Sequence, residues 1–304
     1  HGAVIGHDGR EDARSFTETA QVGLRLEALA EITAVKREKQ AAIVHDWQNK
    51  WALEGSCGPR NAGMGYWDEL KRHYNALARE GIAVEFVDQN ADLTGYGLVV
   101  VPMLYLLTDA FAKKLCAFAQ NGGTVIVTYW SGVVDESDLC RLGDTPYGLT
   151  ELLRLRRTEI DGMYDGETRR CMPATGCTLP AAQASTLCEV AALDEENPAE
   201  PLSLYDEDYF AGHPAAAVHR YGKGRAYYLA SRFDEAFYRA FYHDAAKEIG
   251  LIPAWPETLP EGVLAVRRGS FVFVQNCTEQ PVTAGNTVLE RYRTAVWKGK
   301  DRIF

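Results

Sequence analysis

A run of β-branched residues that ends in a polar, acidic loop is the most constraining feature of this chain. The segment Thr124–Tyr129 follows Gly122-Gly123, which end a predicted helix, and its composition is typical of a buried strand. In open α/β sheets, ligands and catalytic groups lie beyond the carboxyl ends of such strands. A reaction centre would therefore be expected at residues 129–135.

The residues at this position do not carry the chemistry of a hydrolase. Two bulky aromatic residues, Tyr129 and Trp130, precede a single serine, Ser131. A nucleophile elbow has the pattern G-x-S-x-G, but Tyr129 occupies the place of the first glycine, and no cysteine replaces the serine. We interpret the domain as an enzyme scaffold that has lost its activity and serves assembly.

The pattern before this strand predicts an α/β domain. Apolar runs and amphipathic segments alternate, with predicted strands at 41–44, 83–88 and 96–105 and predicted helices at 65–80 and 110–120. Strands separated by helices of this length predict right-handed crossovers and a parallel sheet with helices on both faces. The expected fold class is therefore α/β, with a flavodoxin-like parallel sheet.

The pattern after this strand is less regular. A short helix is predicted at 147–155, residues 161–200 contain only strand-like islands, and two strands surround the turn Gly222–Gly224. Asp234 then begins a helix that Gly250 ends.

The two ends of the chain are predicted to be separate units. Residues 11–39 have an apolar stripe at helical spacing, with Asp8 or Asp12 as the expected cap. A proline-rich linker at 253–260 precedes a predicted hairpin in a last segment that is too small to bury much core alone, so we expect it to contact the larger domain. The predicted division is 1–40 as a connecting segment, 41–252 as the main domain and 260–304 as a small antiparallel β domain.

Charge and composition exclude several classes of partner. The net charge of −10 argues against nucleic acid, since binding of phosphate backbones depends on clustered Lys and Arg. The densest basic run, Arg154–Arg157, is predicted to be the solvated face of a helix. No apolar run is long enough for a membrane span. The loop after the first strand contains Trp47, Trp51 and Glu54 but no glycine-rich turn, so we expect no nucleotide or flavin cofactor.

The seven cysteines do not form a metal-binding pattern. No C-x-x-C occurs, and Cys171 and Cys177 have no histidine or second cysteine pair at zinc-ligand spacing, so no metal site is expected. Scattered thiols in an acidic chain without a signal peptide favour a reducing, cytoplasmic location.

The candidate site residues follow the first and fourth predicted strands. These are Asp46, Trp47, Trp51, Tyr129, Trp130 and Asp135. The four aromatic side chains are expected to cluster at one end of the sheet, where they could complete the core, anchor a subunit contact or stack on a sugar. The two aspartates could pair with arginines of a neighbouring subunit or cap local backbone.

Several motifs in order along the chain resemble the C-terminal part of the β-galactosidases of glycoside hydrolase family 42. The motifs are Ala3-Val-Ile-Gly-His-Asp-Gly9, Asp46-Trp-Gln-Asn-Lys-Trp-Ala52, Asp92-Leu-Thr-Gly-Tyr-Gly-Leu-Val-Val-Val-Pro102, Tyr129-Trp-Ser-Gly-Val-Val-Asp-Glu136 and Gly222-Lys-Gly-Arg-Ala-Tyr-Tyr228. The resemblance implies an amidotransferase-like domain that mediates trimer formation, followed by a small β domain. It also implies that the catalytic glutamates and the cysteine zinc cluster belong to a preceding barrel, so no catalytic or metal residue is carried over.

Two functions follow as alternatives. The favoured hypothesis is a non-catalytic module that forms a homotrimer and associates with the catalytic barrel of a β-galactosidase, so that the chain alone hydrolyses no galactoside. Acidic pairs such as Asp135 with Glu136 or Asp206 with Asp208 lie in predicted polar loops, whereas a retaining glycosidase needs two carboxyls about 5 Å apart across a cleft. The alternative is residual amidotransferase-like chemistry through Cys57 or Cys140, which requires a thiol activated by histidine.

Overall fold

The computed structural model describes residues 4–36, 38–56 and 63–304. The α-helices are α1 (Arg14–Ala28), α2 (Trp47–Gly55), α3 (Tyr66–Arg79), α4 (Asp109–Gln120), α5 (Thr150–Leu153) and α6 (Glu235–Glu248). The strands of the largest sheet are β1 (Ala41–Val44), β2 (Val84–Val87), β3 (Leu98–Val101), β4 (Thr124–Thr128), β5 (Leu155–Gly162), β6 (Thr168–Pro173), β7 (Ala182–Leu193), β8 (Glu200–Tyr205), β9 (Pro214–Tyr221), β10 (Gly224–Leu229) and β11 (Ser231–Phe233). The remaining strands are β12 (Val263–Arg268), β13 (Phe271–Asn276), β14 (Val282–Ala284), β15 (Thr287–Leu289), β16 (Thr294–Lys298) and β17 (Asp301–Arg302).

The largest sheet is mixed rather than parallel throughout. Its strand order is β11-β7-β6-β8-β9-β10-β4-β3-β1-β2, with β5 paired to the other side of β7. The strands β2, β1, β3, β4 and β10 are parallel to one another, as predicted. The others pair antiparallel, because short turns rather than helical crossovers connect residues 155–229. The segment at 161–200, predicted to be irregular with strand-like islands, is more regular than expected, since it contains all of β6 and β7.

The parallel part of the sheet forms the centre of the core. Every residue of β1, β3 and β4 is buried, and because side chains alternate between the two faces of a strand, both faces are covered. The helices α3 and α6 pack against each other, and α4 packs against β4 and β10. Side-chain caps begin two of these helices: Thr108 accepts a hydrogen bond from the backbone of α4, and Asp234, the predicted start of a helix, accepts one from the backbone of α6.

The first helix is shorter and more exposed than predicted. Helix α1 ends at Ala28, a 3₁₀ turn covers Ala30–Ala34, and the N-cap Ala13 makes no side-chain hydrogen bond, so the expected caps Asp8 and Asp12 were wrong. No residue of α1 is buried, and Leu24 is 68% exposed. The apolar stripe of α1 is therefore uncovered by the described residues.

The C-terminal strands form a separate small unit. The predicted hairpin is confirmed as β12 and β13, which turn at Gly269 with a positive φ of 57°. This unit has its own apolar cluster, built around side chains such as Val263, Val274 and Leu289. It contacts the main domain where Arg79 of α3 lies 3.2 Å from Glu261, and where β12 packs against α3.

Candidate functional site

Asp46 starts the site by capping α2. Its carboxylate accepts hydrogen bonds from the backbone N–H of Gln48 at 2.9 Å and of Asn49 at 3.2 Å. The cap fixes α2 directly after β1, and Trp47 and Trp51 lie one helical turn apart on its exposed side. The local capping role therefore accounts for Asp46.

Three exposed tryptophans and a histidine form one surface, which we call the aromatic patch: His45, Trp47, Trp51 and Trp67. The exposed fractions of the three tryptophans are 53%, 56% and 45%. The Trp47 ring centroid lies 6.2 Å from that of Trp51 and 6.0 Å from that of Trp67. His45 lies between Trp47 at 5.0 Å and Trp67 at 4.7 Å. These rings present a continuous apolar surface of roughly 350 Å² to solvent, if each tryptophan offers about 250 Å² when fully exposed.

Sequence reasoning missed Trp67, although a signal was present. It lies on α3 next to Tyr66, outside the apolar stripe that faces the core, where a polar residue is the normal choice. His45 is equally unusual, because its Nε2 atom is buried without a hydrogen-bond partner among the described residues. Burial lowers the pKa of His45, despite the opposing charge of Asp46. A neutral imidazole suits contact with an apolar partner.

Tyr129 and Trp130 belong to the core and not to the aromatic patch. Tyr129 is fully buried, and Trp130 is 6% exposed and stacks on Tyr105 with ring centroids 5.7 Å apart. No ring contact among the described residues joins either of them to the tryptophans of α2. The expectation of a single cluster of four aromatic residues was therefore wrong. The reason is that β4 is central and covered, whereas α2 lies on the surface.

The sharp turn after β4 is centred on Trp130 rather than on Ser131. Trp130 has a positive φ of 59°, and Gly132 follows with 62°. A Cβ atom on Gly132 would lie 2.7 Å from the backbone nitrogen of Tyr147, so this position needs glycine. Ser131 is buried and accepts a hydrogen bond from the backbone N–H of Leu104 at 3.0 Å. An indole therefore occupies the position at which a hydrolase would hold its nucleophile.

Glu69 of α3 is a buried carboxylate, and Arg232 connects it to the side chain of Tyr129, the residue that follows β4. The Arg232 Nε donates to Glu69 at 2.8 Å and to the Tyr129 hydroxyl oxygen at 3.0 Å. Tyr238 also donates to Glu69 at 2.8 Å, and His73 Nε2 lies 3.3 Å away. Burial alone would raise the pKa of Glu69, but the hydrogen bond and charge of His73 and the charge of Arg232 lower it to about 2. Glu69 is thus a fixed anion.

Glu189 of β7 is a second buried carboxylate, and it binds Trp130, the residue after Tyr129. It accepts hydrogen bonds from the Trp130 backbone N–H at 2.9 Å, from Arg157 at 2.7 Å and from the Tyr228 hydroxyl. The Arg157 side chain is 6% exposed and lies on β5, so the prediction of a solvated helical face for Arg154–Arg157 was wrong. Helix α5 ends before Arg154, which has a positive φ, and the chain continues as a strand.

Neither buried carboxylate is arranged for acid–base chemistry. Glu69 and Glu189 are both 0% exposed, and neither lines any of the five best-defined cavities of the described residues. Each is paired with an arginine, and the pKa of Glu69 is lowered to about 2, so this carboxyl does not serve as a proton donor near neutral pH. Sequence reasoning missed both, because their partners are distant along the chain.

The exposed acidic candidates have local partners. Asp135 accepts hydrogen bonds from the backbone N–H of Ser137 at 2.8 Å and of Leu139 at 3.1 Å, and these bonds lower its pKa. Asp206 and Asp208 pair with Arg170 and Arg169. These side chains stabilise loops, which agrees with the capping interpretation.

The cysteine alternative gains no support. Cys140 lies in an isolated bridge with Val134 and not at the N-terminus of a helix, and Cys57 falls outside the described residues. In the part of the chain that the structure covers, no group of three His, Cys, Asp or Glu side chains could hold a metal ion. A membrane-crossing helix is likewise absent from these residues.

The chain thus has an α/β fold whose central strand β4 ends in a buried turn held by two ion pairs. The helices α2 and α3 present the exposed aromatic patch. Residues 39–252 match the family model of the β-galactosidase trimerisation domain. The chain belongs to this family, the trimerisation domains of glycoside hydrolase family 42 β-galactosidases.

Individual relatives agree with the family match. The chain is similar to the β-galactosidase BglY of Alicyclobacillus acidocaldarius, at 43% identity over 92% of this chain and 41% of that protein, and to GalA of Bacillus licheniformis, at 34% over 97% and 46%. Among solved structures it resembles the β-galactosidase from Rahnella sp. R3, with a TM-score of 0.90 and 38% identity over 97% of this chain and 46% of that one. The chain therefore spans less than half the length of the relatives that it matches.

Proposed function

We propose that this chain is the non-catalytic association module of a β-galactosidase and that it forms a homotrimer through the aromatic patch. The observation that carries the proposal is the exposure of three neighbouring tryptophans around a neutral histidine. Exposed apolar surfaces of a few hundred Å² are typical of interaction sites, and tryptophan is the side chain most enriched among residues that dominate binding energy.

The symmetry of the proposed trimer determines which surfaces meet at each subunit contact. A trimer with threefold symmetry uses a head-to-tail contact, in which the patch of one subunit binds a different surface of the next. Because the patch on one subunit does not contact its own copy, each of the three contacts buries one set of tryptophans. The related proteins are named as β-galactosidases, so the activity of the whole protein is proposed to be hydrolysis of terminal β-galactosides.

The absence of catalysis in this chain is proposed on the chemistry of the turn after β4. Trp130 offers no nucleophile there, and both nearby carboxylates are buried and paired with arginines. The acid and the nucleophile are proposed to lie on the catalytic barrel. The uncovered helix α1, in which Leu24 and Leu26 are 68% and 63% exposed, is proposed to contact that barrel.

The finer fold class and the domain division are part of the same proposal. The parallel strands β2-β1-β3-β4-β10 have the order 2-1-3-4-5 when numbered along the chain, which is the order of flavodoxin-like sheets. This order supports an amidotransferase-like origin for residues 41–252. The main domain and the C-terminal strands have separate apolar clusters, which supports a distinct unit at 260–304. Residues 1–40 are proposed to be a connecting segment. A cytoplasmic location is proposed from the free cysteines of the described residues.

Light scattering coupled to gel filtration tests the association. The chain is expected to give the mass of a trimer, and the double variant Trp47→Ser/Trp51→Ser is expected to shift to monomer, because it removes most of the exposed apolar surface. The control variant Leu142→Ser/Tyr164→Ser changes two residues that are 92% and 82% exposed outside the patch, and it should leave the mass unchanged. A trimer that persists in the tryptophan variant would refute the assignment of the interface.

A separate assay tests the absence of catalysis. The purified chain should release no chromophore from a nitrophenyl β-galactoside above the rate in buffer. Turnover that co-purifies with the chain and disappears in Glu189→Gln would refute the proposal, because it would assign chemistry to a group that we place in a structural ion pair.

A further inference from the structure

A basic cleft lies between α3 and α6, away from the residues of the aromatic patch. It has a volume of about 240 Å³ and is lined by Arg72, Asn75, Ala76, Arg79, Glu235, Tyr238 and Arg239. Pockets that hold drug-sized molecules start at about 300 Å³, so this cleft suits a smaller group. Three guanidinium groups and a single carboxylate face it, in a chain whose net charge is −10.

Helical spacing places these side chains on facing surfaces. Arg72 and Arg79 lie two turns apart on α3, and Glu235 and Arg239 lie one turn apart on α6. The buried Tyr238 forms one wall, and its hydroxyl donates to Glu69 at 2.8 Å. Because this hydroxyl is already bound, it fixes the wall of the cleft and does not serve as a donor to a ligand.

The charges in the cleft are only partly compensated. Arg79 pairs with Glu235 at 2.8 Å and with Glu261 at 3.2 Å. Arg72 and Arg239 make no ion pair with any described residue. Asp68, the acidic residue one turn before Arg72, pairs with Lys71 at 2.8 Å instead. Two unpaired guanidinium groups therefore share one small cavity, which matches an anion of two charges.

We propose that this cleft, the cationic cleft, binds a phosphate group, either free or as the monoester of a small molecule. The planar fork of arginine donates two parallel hydrogen bonds to a phosphate, and this arrangement is stronger and more specific than contact with a point charge. The Asn75 amide supplies a neutral donor beside the two arginines. The cleft is a ligand site in addition to the association surface, and the argument for it does not depend on the proposed trimer.

Isothermal titration of the full chain with inorganic phosphate at pH 7.5 tests this site. Glycerol phosphate serves as the monoester probe, and chloride keeps the ionic strength constant, because non-specific attraction falls with added salt. The variant Arg72→Gln/Arg239→Gln should bind the preferred probe much more weakly, by roughly tenfold or more for each arginine, since each substitution removes hydrogen bonds between charged groups. Both arginines are exposed, so the variant should fold normally, which circular dichroism checks.

A charge-matched control separates this site from general attraction. Lys113→Gln/Lys247→Gln removes two positive charges, from α4 and α6, without changing any residue that lines the cleft and without breaking the pair of Lys71 with Asp68. It should bind the probes as the unmodified chain does. Binding of free phosphate supports a free-ion site, and binding of the monoester alone supports a phosphorylated ligand. If neither probe binds at millimolar concentration, or if both double variants weaken binding equally, the proposal is overturned.

Discussion

The buried ion pair of Glu69 makes a quantitative prediction about stability. Glutamine in place of Glu69 keeps the shape of the side chain but resembles the protonated carboxyl, so Glu69→Gln measures the value of the charge. The pKa of Glu69 falls from 4.5 to about 2 on folding, and each pKa unit corresponds to about 1.4 kcal/mol. The variant should therefore lose roughly 3 kcal/mol of unfolding free energy at pH 7. This agrees with the ~3–5 kcal/mol expected when one partner of a buried ion pair is removed.

The pH dependence follows from the sign of the shift. A carboxyl whose pKa is lowered by folding stabilises the protein fully above its unfolded pKa of 4.5, and this contribution disappears as the pH falls through about 2. The difference between the unmodified chain and Glu69→Gln should therefore shrink towards zero as the pH falls from about 4.5 to about 2. Other carboxylates titrate in the same range, but they cancel in the difference between the two proteins.

Urea unfolding followed by tryptophan fluorescence at several pH values measures this difference. The transition should move to lower urea without a change in its slope, which would show that the same surface is exposed on unfolding. The variant Glu80→Gln is a matched control, because Glu80 lies at the end of the same helix but is partly exposed and pairs only with His243. A loss below 1 kcal/mol for Glu69→Gln at pH 7, or a loss that does not change with pH, would refute the assignment of Glu69 as a buried anion.

Three further substitutions test the parts of the site. Asp46→Ala should lower the unfolding free energy by about 1 kcal/mol, because it removes the N-cap of α2, and urea unfolding would detect this change; an unaltered midpoint would contradict the cap. Gly132→Ala should destabilise the chain by more than about 2 kcal/mol, because the new Cβ would overlap backbone atoms. Gly166→Ala, at a position with a positive φ but open space, should cost only about 1 kcal/mol. Equal shifts of the melting temperature in the two variants would argue against the tight turn. Arg157→Met should cost ~3–5 kcal/mol by leaving Glu189 unpaired, and Arg157→Met/Glu189→Gln should recover part of that loss in a double-mutant cycle.

The sequence predicts the parallel part of the fold well, because that information is local. Apolar runs at β1, β3 and β4, separated by amphipathic helices, define strands that are buried on both faces. The antiparallel part is harder to predict, since each of β5 and β6 has a single buried residue and several charged side chains. In addition, β5 pairs with β7 rather than with the next strand along the chain, and β6 also pairs with β8; a pattern within one segment does not specify such partners.

The ion pairs of the site illustrate the same limit. Glu69 and His73 recur at a spacing of four residues on the buried face of α3, so two polar residues within an apolar stripe were a visible signal. Their partner Arg232 is 163 residues away from Glu69, and nothing local connects them. The aromatic patch was predicted only in part, because Trp47 and Trp51 follow β1 directly, whereas Trp67 comes from another helix.

The two buried ion pairs together hold the turn after β4 in place. They bind consecutive residues of one turn, since Arg232 of the first pair donates to the side chain of Tyr129 and Glu189 of the second accepts from the backbone N–H of Trp130. In a hydrolase with this type of turn, backbone N–H groups are free to stabilise the oxyanion of a reaction intermediate. Here the backbone N–H of Trp130 already donates to the carboxylate of Glu189. Replacing Glu189 would leave Arg157 as an unpaired buried cation, at a cost of ~3–5 kcal/mol. The stability of the domain therefore depends on the same carboxylate that binds the Trp130 N–H.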